Sequence, residues 1–197
     1  MRVGLTGNIG SGKSTVCKVF NALGIPAFHA DDEARKYYST EKGIEAVIEK
    51  FGKGVLEEGS INFKKIAAIV FHDKEKLEWL NNQIHPFVRQ KFEDWETKHP
   101  DATYLIYEAA ILYETGRYND MDLMITVSAP EDLRHQRIIE RDKVSLEDAR
   151  AREKNQWEQS KKEELADFII FNDEKQLVVP QVIRIHNRIL QMVRDKR

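Results

Sequence analysis

The sequence holds a single cysteine, Cys17, so an intrachain disulfide is impossible and no zinc-type cluster of cysteines shows in the chain. A reducing compartment fits that usage. No stretch approaches the roughly 20 apolar residues that a membrane-spanning helix requires. The opening Met1-Arg2-Val3-Gly4-Leu5-Thr6 runs at once into glycines, too short an apolar run for a secretory leader. The expectation is a soluble, cytoplasmic protein. Neither charge sign dominates: 31 basic against 33 acidic residues leave a net charge of -2. That removes the global electrostatic case for binding nucleic acid or an anionic membrane, while a local basic cluster for a small phosphorylated ligand stays open. No aspartate is followed by glycine three residues on, and no Asn-Lys-x-Asp occurs, so the two marks of a GTPase are missing. Repeats, low-complexity linkers and any stripe calling for an obligate protein partner are also lacking.

What is present describes a folded domain. Hydrophobic residues make up 41% and charged residues 32% of 197, enough to bury a sizeable core. Short apolar runs alternate with amphipathic stretches, which predicts an α/β fold with a parallel five-stranded sheet covered by helices on both faces. Strands are expected at 3–6, 26–29, 104–107, 123–127 and 168–171. A helix is expected over 13–23, ended by Gly24. Between the second and third strands lie about seventy residues with helical patterns and no convincing strand. There Ile44, Val47, Ile48 and Phe51 mark one helix closed by Gly52, and Asn62 and Asp73 are N-cap candidates for two more. Phe87, Val88, Phe92 and Trp95 line a further helix. Such a block is too long for a crossover and reads as a helical insertion that binds substrate. Later, Ser128 and Glu131 have capping-box spacing before a helix at 131–142, Ser145 caps another, and the last helix is expected to start near Pro180.

The strongest chemical signal is Gly7-Asn8-Ile9-Gly10-Ser11-Gly12-Lys13-Ser14, which fills G-x-x-x-x-G-K-[ST] between a strand and a helix. Glycines let backbone N–H groups approach phosphate oxygens, and the helix N-terminus adds a favourable dipole. Lys13 supplies a point charge for the β- and γ-phosphates, and Ser14 a hydroxyl for Mg²⁺. The pattern calls for ATP but leaves its fate open. Parallel sheets bind ligands at the carboxyl ends of their strands. The second strand ends in His29-Ala30-Asp31-Asp32 and the third in Glu108. Asp31 is the candidate base and Glu108 a candidate Mg²⁺-water ligand or substrate contact; helix capping is the alternative for both aspartates, a loop carboxylate for Glu108 and a structural role for His29. Arg134, Arg137, Arg141, Arg150 and Arg152 fall within nineteen residues. An arginine from a mobile segment can neutralise charge on a transferring phosphoryl group, although a solvated helix face balanced by carboxylates remains the other reading.

Taken in order, these residues resemble the dephospho-CoA kinase family over nearly the whole chain. The loop is close to that family's G-L-T-G-x-I-G-S-G-K-S. Ala30-Asp31 on the second strand resembles D-A-D. His85-Pro86 with Val88-Arg89 is similar to H-P-x-[IV]-R, and Leu112-Tyr113-Glu114 resembles part of P-L-L-F-E. Arg137 with Arg141-Asp142 is similar to R-x-x-x-R-D, Arg152 with Gln156 to R-x-x-x-Q, and Ala166-Asp167 with Asn172 to A-D-x-x-x-x-N. Three positions depart: His29 stands where the first aspartate is usual, Ala110 where proline is common, and Tyr113 for phenylalanine. The resemblance implies transfer of phosphate from ATP, with Mg²⁺, to the ribose 3′-hydroxyl of dephospho-CoA. It implies a nucleotide-binding core of residues 1–31, 103–136 and 158–197, an acceptor-binding region at 32–102 and a lid at 137–157. Asp31, Lys13 and Arg141 are then catalytic. Gly7, Asn8, Ile9, Gly10, Ser11, Gly12, Lys13, Ser14 and Thr15, with Arg137, Arg141 and Asn172, bind ATP. Asp31, His85, Arg89, Glu108 and Leu112 contact the acceptor, and Ser14 and Glu108 the metal.

Overall fold

The structure, a computed structural model, describes residues 1–71, 73–154 and 156–195. In chain order it begins with β1 (Arg2–Thr6), α1 (Lys13–Ala22), β2 (Ala27–His29), α2 (Ala30–Tyr37) and α3 (Glu41–Phe51). Then come β3 (Leu56–Glu57), β4 (Ser60–Ile61), α4 (Phe63–Phe71), α5 (Lys74–Glu96) and β5 (Leu105–Glu108). The chain closes with β6 (Leu123–Ser128), α6 (Glu131–Asp142), α7 (Leu146–Glu153), α8 (Gln159–Glu164), β7 (Phe168–Phe171) and α9 (Val178–Asp195). Two compact units result: Met1–His29 with His99–Arg197, and Ala30–Lys98. No helix among the described residues is long and apolar enough to cross a membrane.

The first unit is built on a parallel sheet in the order β2-β5-β1-β6-β7. Register decides what each face carries. Val3 pairs with Ile106 and Leu123, Leu5 with Glu108 and Ile125, and Val127 with Ile170. Side chains in register share a face. Val3, Leu5, Ile106, Ile125, Val127 and Ile170 accordingly form one buried cluster with Val16, Cys17 and Phe20 of α1 and Val182, Ile185 and Ile189 of α9. The opposite face belongs to the alternate residues. There Thr126 Oγ1 donates to the carbonyl of Lys162 on α8, and Met124 and Leu112 pack against Gly4, where a Cβ would lie 2.4 Å from the Met124 sulfur. Burial on both faces explains why the strands read as continuous apolar runs.

The second unit has its own core of Tyr37, Val47, Val55, Ile61, Ile66 and Leu80. Two expected caps form there. Asn62 Oδ1 accepts from the N–H groups of Lys64 and Lys65, and Asp73 Oδ1 accepts from that of Lys76 at 3.0 Å. Gly52 ends α3 as expected.

Several expectations are corrected. The insertion is not free of strands: β3 and β4 pair antiparallel around Glu58 and Gly59, both at positive φ (50° and 79°). Two residues per strand are too few for alternation to register, and the turn lacks the Asn-Gly or Asp-Gly that marks such hairpins. The helices expected on either side of His85-Pro86 are one helix, α5, with Pro86 inside it. Proline removes one ladder bond, but it sits mid-way along 23 residues whose flanks pack on α2 and α4. Ser128 ends β6 instead of capping α6; its Oγ accepts from Gln159 Nε2 at 2.8 Å, and Pro130 occupies the cap position. Ala30 and Asp31 open α2, not the end of a strand, so Asp31 and Asp32 lie in a helical first turn and are not its cap. Helix α8 had no clear apolar period, and α9 starts at Val178, before Pro180. The cap expected of Ser145 does form, as a capping box with Asp148.

Gly43 decides between two opposing effects. Alanine is the better helix former by about 1 kcal/mol, but a Cβ at Gly43 would lie 1.9 Å from the Tyr37 carbonyl oxygen. Moving that backbone costs about 1–3 kcal/mol, so Gly43→Ala is expected to lower stability. Denaturant unfolding checks this, and a raised midpoint at unchanged slope would refute it.

Candidate functional site

Residues 7–14 follow β1 directly and lead into α1. The turn needs glycine where it bends. Gly12 has φ 95°, and a Cβ there would lie 2.1 Å from the side-chain nitrogen of Asn172. No carboxylate occupies the first turn of α1, so its positive end is left for an external anion. Ser14 and Thr15 are exposed on that turn. Lys13 Nζ reaches back along the loop and donates to the Gly7 carbonyl at 3.0 Å. Ser11 N–H closes the loop on the Asn8 carbonyl at 3.0 Å.

The loop is held from outside by residues far away in sequence. Asn8 is buried; its Nδ2 donates to Glu153 Oε1 at 2.9 Å and to the Trp157 carbonyl at 3.2 Å. Ile9 N–H donates to Gln156 Oε1 at 2.8 Å. Asn172 Nδ2 donates to the Ser11 carbonyl at 2.8 Å. Arg137 bridges the Gly10 and Asn172 carbonyls.

Under this loop lies a buried charged cluster. Arg134, only 5% exposed, donates to Glu153 Oε1, Gln159 Oε1 and the Ala129 carbonyl. His135 Nε2 lies 2.8 Å from Glu153 Oε2. Burial alone would raise the Glu153 carboxyl, but hydrogen bonds from Asn8, Arg134 and His135 outweigh it and hold it below the usual range. A second tie runs beside it. Lys162 is fully buried, pairs with Glu114 at 2.8 Å and donates to the Ala110 carbonyl. Glu114 also accepts from Trp157 N–H at 2.7 Å, and Trp157 stacks on Tyr113. Burial lowers the Lys162 ammonium even against Glu114.

At the sheet's carboxyl edge, register sets His29 of β2 beside Glu108 of β5, and His29 Nδ1 lies 3.0 Å from Glu108 Oε2. Glu108 is 8% exposed, and Leu112 is buried in the turn that follows. Arg141 lies at the end of α6 and pairs with Asp142, which also accepts from Arg152. Arg141 and Arg152 pull the Asp142 carboxyl down to about 2. In the second unit, Asp31 is exposed in the first turn of α2. His85 and Arg89 lie one turn apart on α5, His85 half-buried and Arg89 exposed and paired with Glu93 at 3.1 Å.

With that geometry in place, comparison with known proteins is decisive. The family model CoaE, dephospho-CoA kinase, matches residues 1–177. The chain belongs to the dephospho-CoA kinase family. A dephospho-CoA kinase of Chlorobaculum tepidum is 42% identical over 179 residues, covering 87% of this chain and 86% of that one. One from Aquifex aeolicus is 40% identical over 173 residues, covering 87% and 88%. Among solved structures, a dephospho-CoA kinase from Campylobacter jejuni superposes with TM-score 0.67 at 30% identity, covering 95% of this chain and 96% of that one. A Thermus thermophilus protein reaches TM-score 0.85 at 29% identity, covering 98% and 97%. A shikimate kinase from Acinetobacter baumannii, 16% identical at TM-score 0.52 over 96% and 93%, shares the P-loop kinase fold.

Sequence reasoning on this dephospho-CoA kinase family member singled out the loop, Glu108 and the arginines, and passed over Glu153, Trp157 and Lys162. Gln156 was noticed only as part of a motif. Each acts through a partner some 40 to 150 residues away, and no local pattern marks such a partner.

The cluster predicts a pH effect. A depressed carboxyl adds stability above its ordinary range, and that share is lost as pH falls through the lowered value. Glu153→Gln leaves Arg134 buried without its anion and is expected to cost about 3–5 kcal/mol at neutral pH. The gap between the two proteins narrows as the pH drops below the ordinary glutamate range. Urea unfolding across pH measures it; a gap that stays constant would remove Glu153 as the titrating group.

Proposed function

We propose that this chain transfers the γ-phosphoryl group of ATP to the ribose 3′-hydroxyl of dephospho-CoA, giving CoA and ADP, the last step of CoA biosynthesis. Family membership over residues 1–177, joined to a phosphate loop filled at every position, carries this reading. ATP phosphates bind along the loop of residues 7–15, on the backbone N–H groups that the fold leaves to them, and on the Lys13 ammonium. Lys13 exchanges the neutral Gly7 carbonyl for a phosphate oxygen, so that donor and acceptor are then both charged. Arg137 and Asn172 flank the loop and complete the nucleotide site. The exposed Ser14 hydroxyl and the Glu108 carboxylate are hard oxygen donors of the kind Mg²⁺ takes, so these residues would hold it. The bound ion would neutralise charge on the β- and γ-phosphates.

Asp31 accepts or orients the 3′-hydroxyl proton. Its support is the family pattern together with exposure in the first turn of α2, where a carboxylate is kept ionised. His85 and Arg89, within an acceptor-binding region at 32–102, bind the acceptor together with Glu108 and Leu112 of the core. Residues 137–157 form the lid, and Arg141, near its start, neutralises charge as the phosphoryl group leaves. We place the enzyme in the cytoplasm, where a free buried thiol such as Cys17 persists.

Purified protein with ATP, Mg²⁺ and dephospho-CoA should yield CoA by mass spectrometry, and Lys13→Ala should not. Asp31→Asn should lower turnover about 10²–10⁴-fold while the KM for ATP changes little. Equal turnover in variant and parent removes Asp31 as the base. ATP binding without CoA formation turns the function over to another acceptor.

A further inference from the structure

Beside the phosphate loop the fold gathers three metal-ligating side chains, of which the kinase reading uses only Glu108. Cys17 lies on α1, one turn beyond Lys13. His29 ends β2 and Glu108 ends β5, paired in register. The Cys17 sulfur, a His29 ring nitrogen and a Glu108 carboxylate oxygen all lie within 4.8 Å of one another. We propose that Cys17, His29 and Glu108 form a site for a thiophilic divalent cation of the Zn²⁺ type, and that the bound ion inhibits the enzyme by withdrawing Glu108. The inhibitory clause rests on the kinase reading; the site does not.

The dimensions fit. Zn²⁺ holds sulfur at ~2.3 Å and nitrogen or oxygen at ~2.0–2.1 Å, which in a tetrahedron sets the ligand atoms about 3.3–3.6 Å apart. The ion would sit between His29 and Glu108, whose atoms already stand 3.0 Å apart. Sulfur, imidazole and carboxylate make a borderline-soft set that Zn²⁺ and Co²⁺ accept, whereas Mg²⁺ demands oxygen. Three protein ligands leave a fourth position for water or a phosphate oxygen. Access is from the His29 side, since its side chain is 36% exposed while Cys17 is 1% exposed.

Charge and protonation narrow the ligand further. A thiolate and a carboxylate balance a divalent ion, which offsets repulsion from the nearby Lys13 ammonium. Burial, more than the negative charge of Glu108, pushes the Cys17 thiol up. Mg²⁺ takes oxygen ligands and has only Glu108 in common with this set, so it does not occupy the sulfur and imidazole positions. The second acidic cluster, Glu131, His135 and Glu153, is a poorer candidate because Glu153 is committed to Arg134 and Asn8.

Cobalt gives a readout free of activity. Metal-free protein titrated with Co²⁺ should develop a near-ultraviolet thiolate-to-cobalt band that saturates at one equivalent. Zn²⁺ should abolish the band, and a large excess of Mg²⁺ should leave it. Cys17→Ala should lose it, and His29→Gln should weaken cobalt affinity at least tenfold. If Cys17→Ala does not fold, as circular dichroism will tell, His29→Gln carries the test with the thiol intact. Absence of the band at millimolar Co²⁺, or a band indifferent to His29→Gln, overturns the site. These spectra need no substrate, so they stand or fall apart from the kinase reaction. Zn²⁺ should then suppress CoA formation in the parent and spare Cys17→Ala; equal suppression in both overturns the inhibitory clause.

Discussion

A loop that must offer bare backbone N–H groups to a phosphate cannot wrap its own side chains around itself. Its shape has to be imposed from outside, and the rest of the first unit follows from that constraint. Here much of that support converges on one carboxylate. Glu153 receives Asn8 from the loop, Arg134 from the helix beneath and His135 beside it. Asn8, Arg134 and His135 are buried around a half-buried Glu153, and each would be costly alone. Arg134 in turn sits with its backbone against Gly10, where any Cβ would lie 2.5 Å from the Arg134 carbonyl oxygen. The glycine in the loop and the charge under it are therefore one device.

This support comes from the segment that a sequence argument treats as mobile. Residues 137–157 include Arg141, exposed and paired with its neighbour, and also Glu153, Gln156 and Trp157, which are fastened to the loop. The two ends have different physics. Arg141 loses little by leaving Asp142, because an exposed pair is worth about 0–1 kcal/mol. Glu153 cannot leave without stranding a buried guanidinium. The low-cost place for motion in this segment is therefore the part that holds no buried charge.

How much of this could be seen in the chain depends on distance along it. The phosphate loop was legible because all its ligands are contiguous and backbone geometry dictates glycine at fixed spacing. The five strands were legible because two-sided burial writes an apolar run into each one. Asn62 and Asp73 announced their helices through cap chemistry that acts within three residues. Ser128 had the same spacing and did not cap, because the strand kept it and Pro130 took the turn. Pro86 stands where local rules disfavour a helix interior, and tertiary packing carries α5 through it. His29 beside Glu108, or Gln156 against Ile9, was invisible, since register and folding alone bring them together.

Lys13 shows what the external support accomplishes. Its ammonium is directed along the loop and bonded to the Gly7 carbonyl, so its side chain is ordered in advance of any ligand. Binding a phosphate then exchanges one acceptor for a charged one and orders little else. Ordering a long side chain costs about 0.5–1.5 kcal/mol on association, and the folded loop has already met that cost. The same holds for Ile9 and Ser11, whose backbone positions Gln156 and Asn172 determine. Interaction energy between loop and triphosphate is therefore left over for the step that matters. It can stabilise charge that grows on the phosphoryl group during transfer, where preorganised donors are most effective.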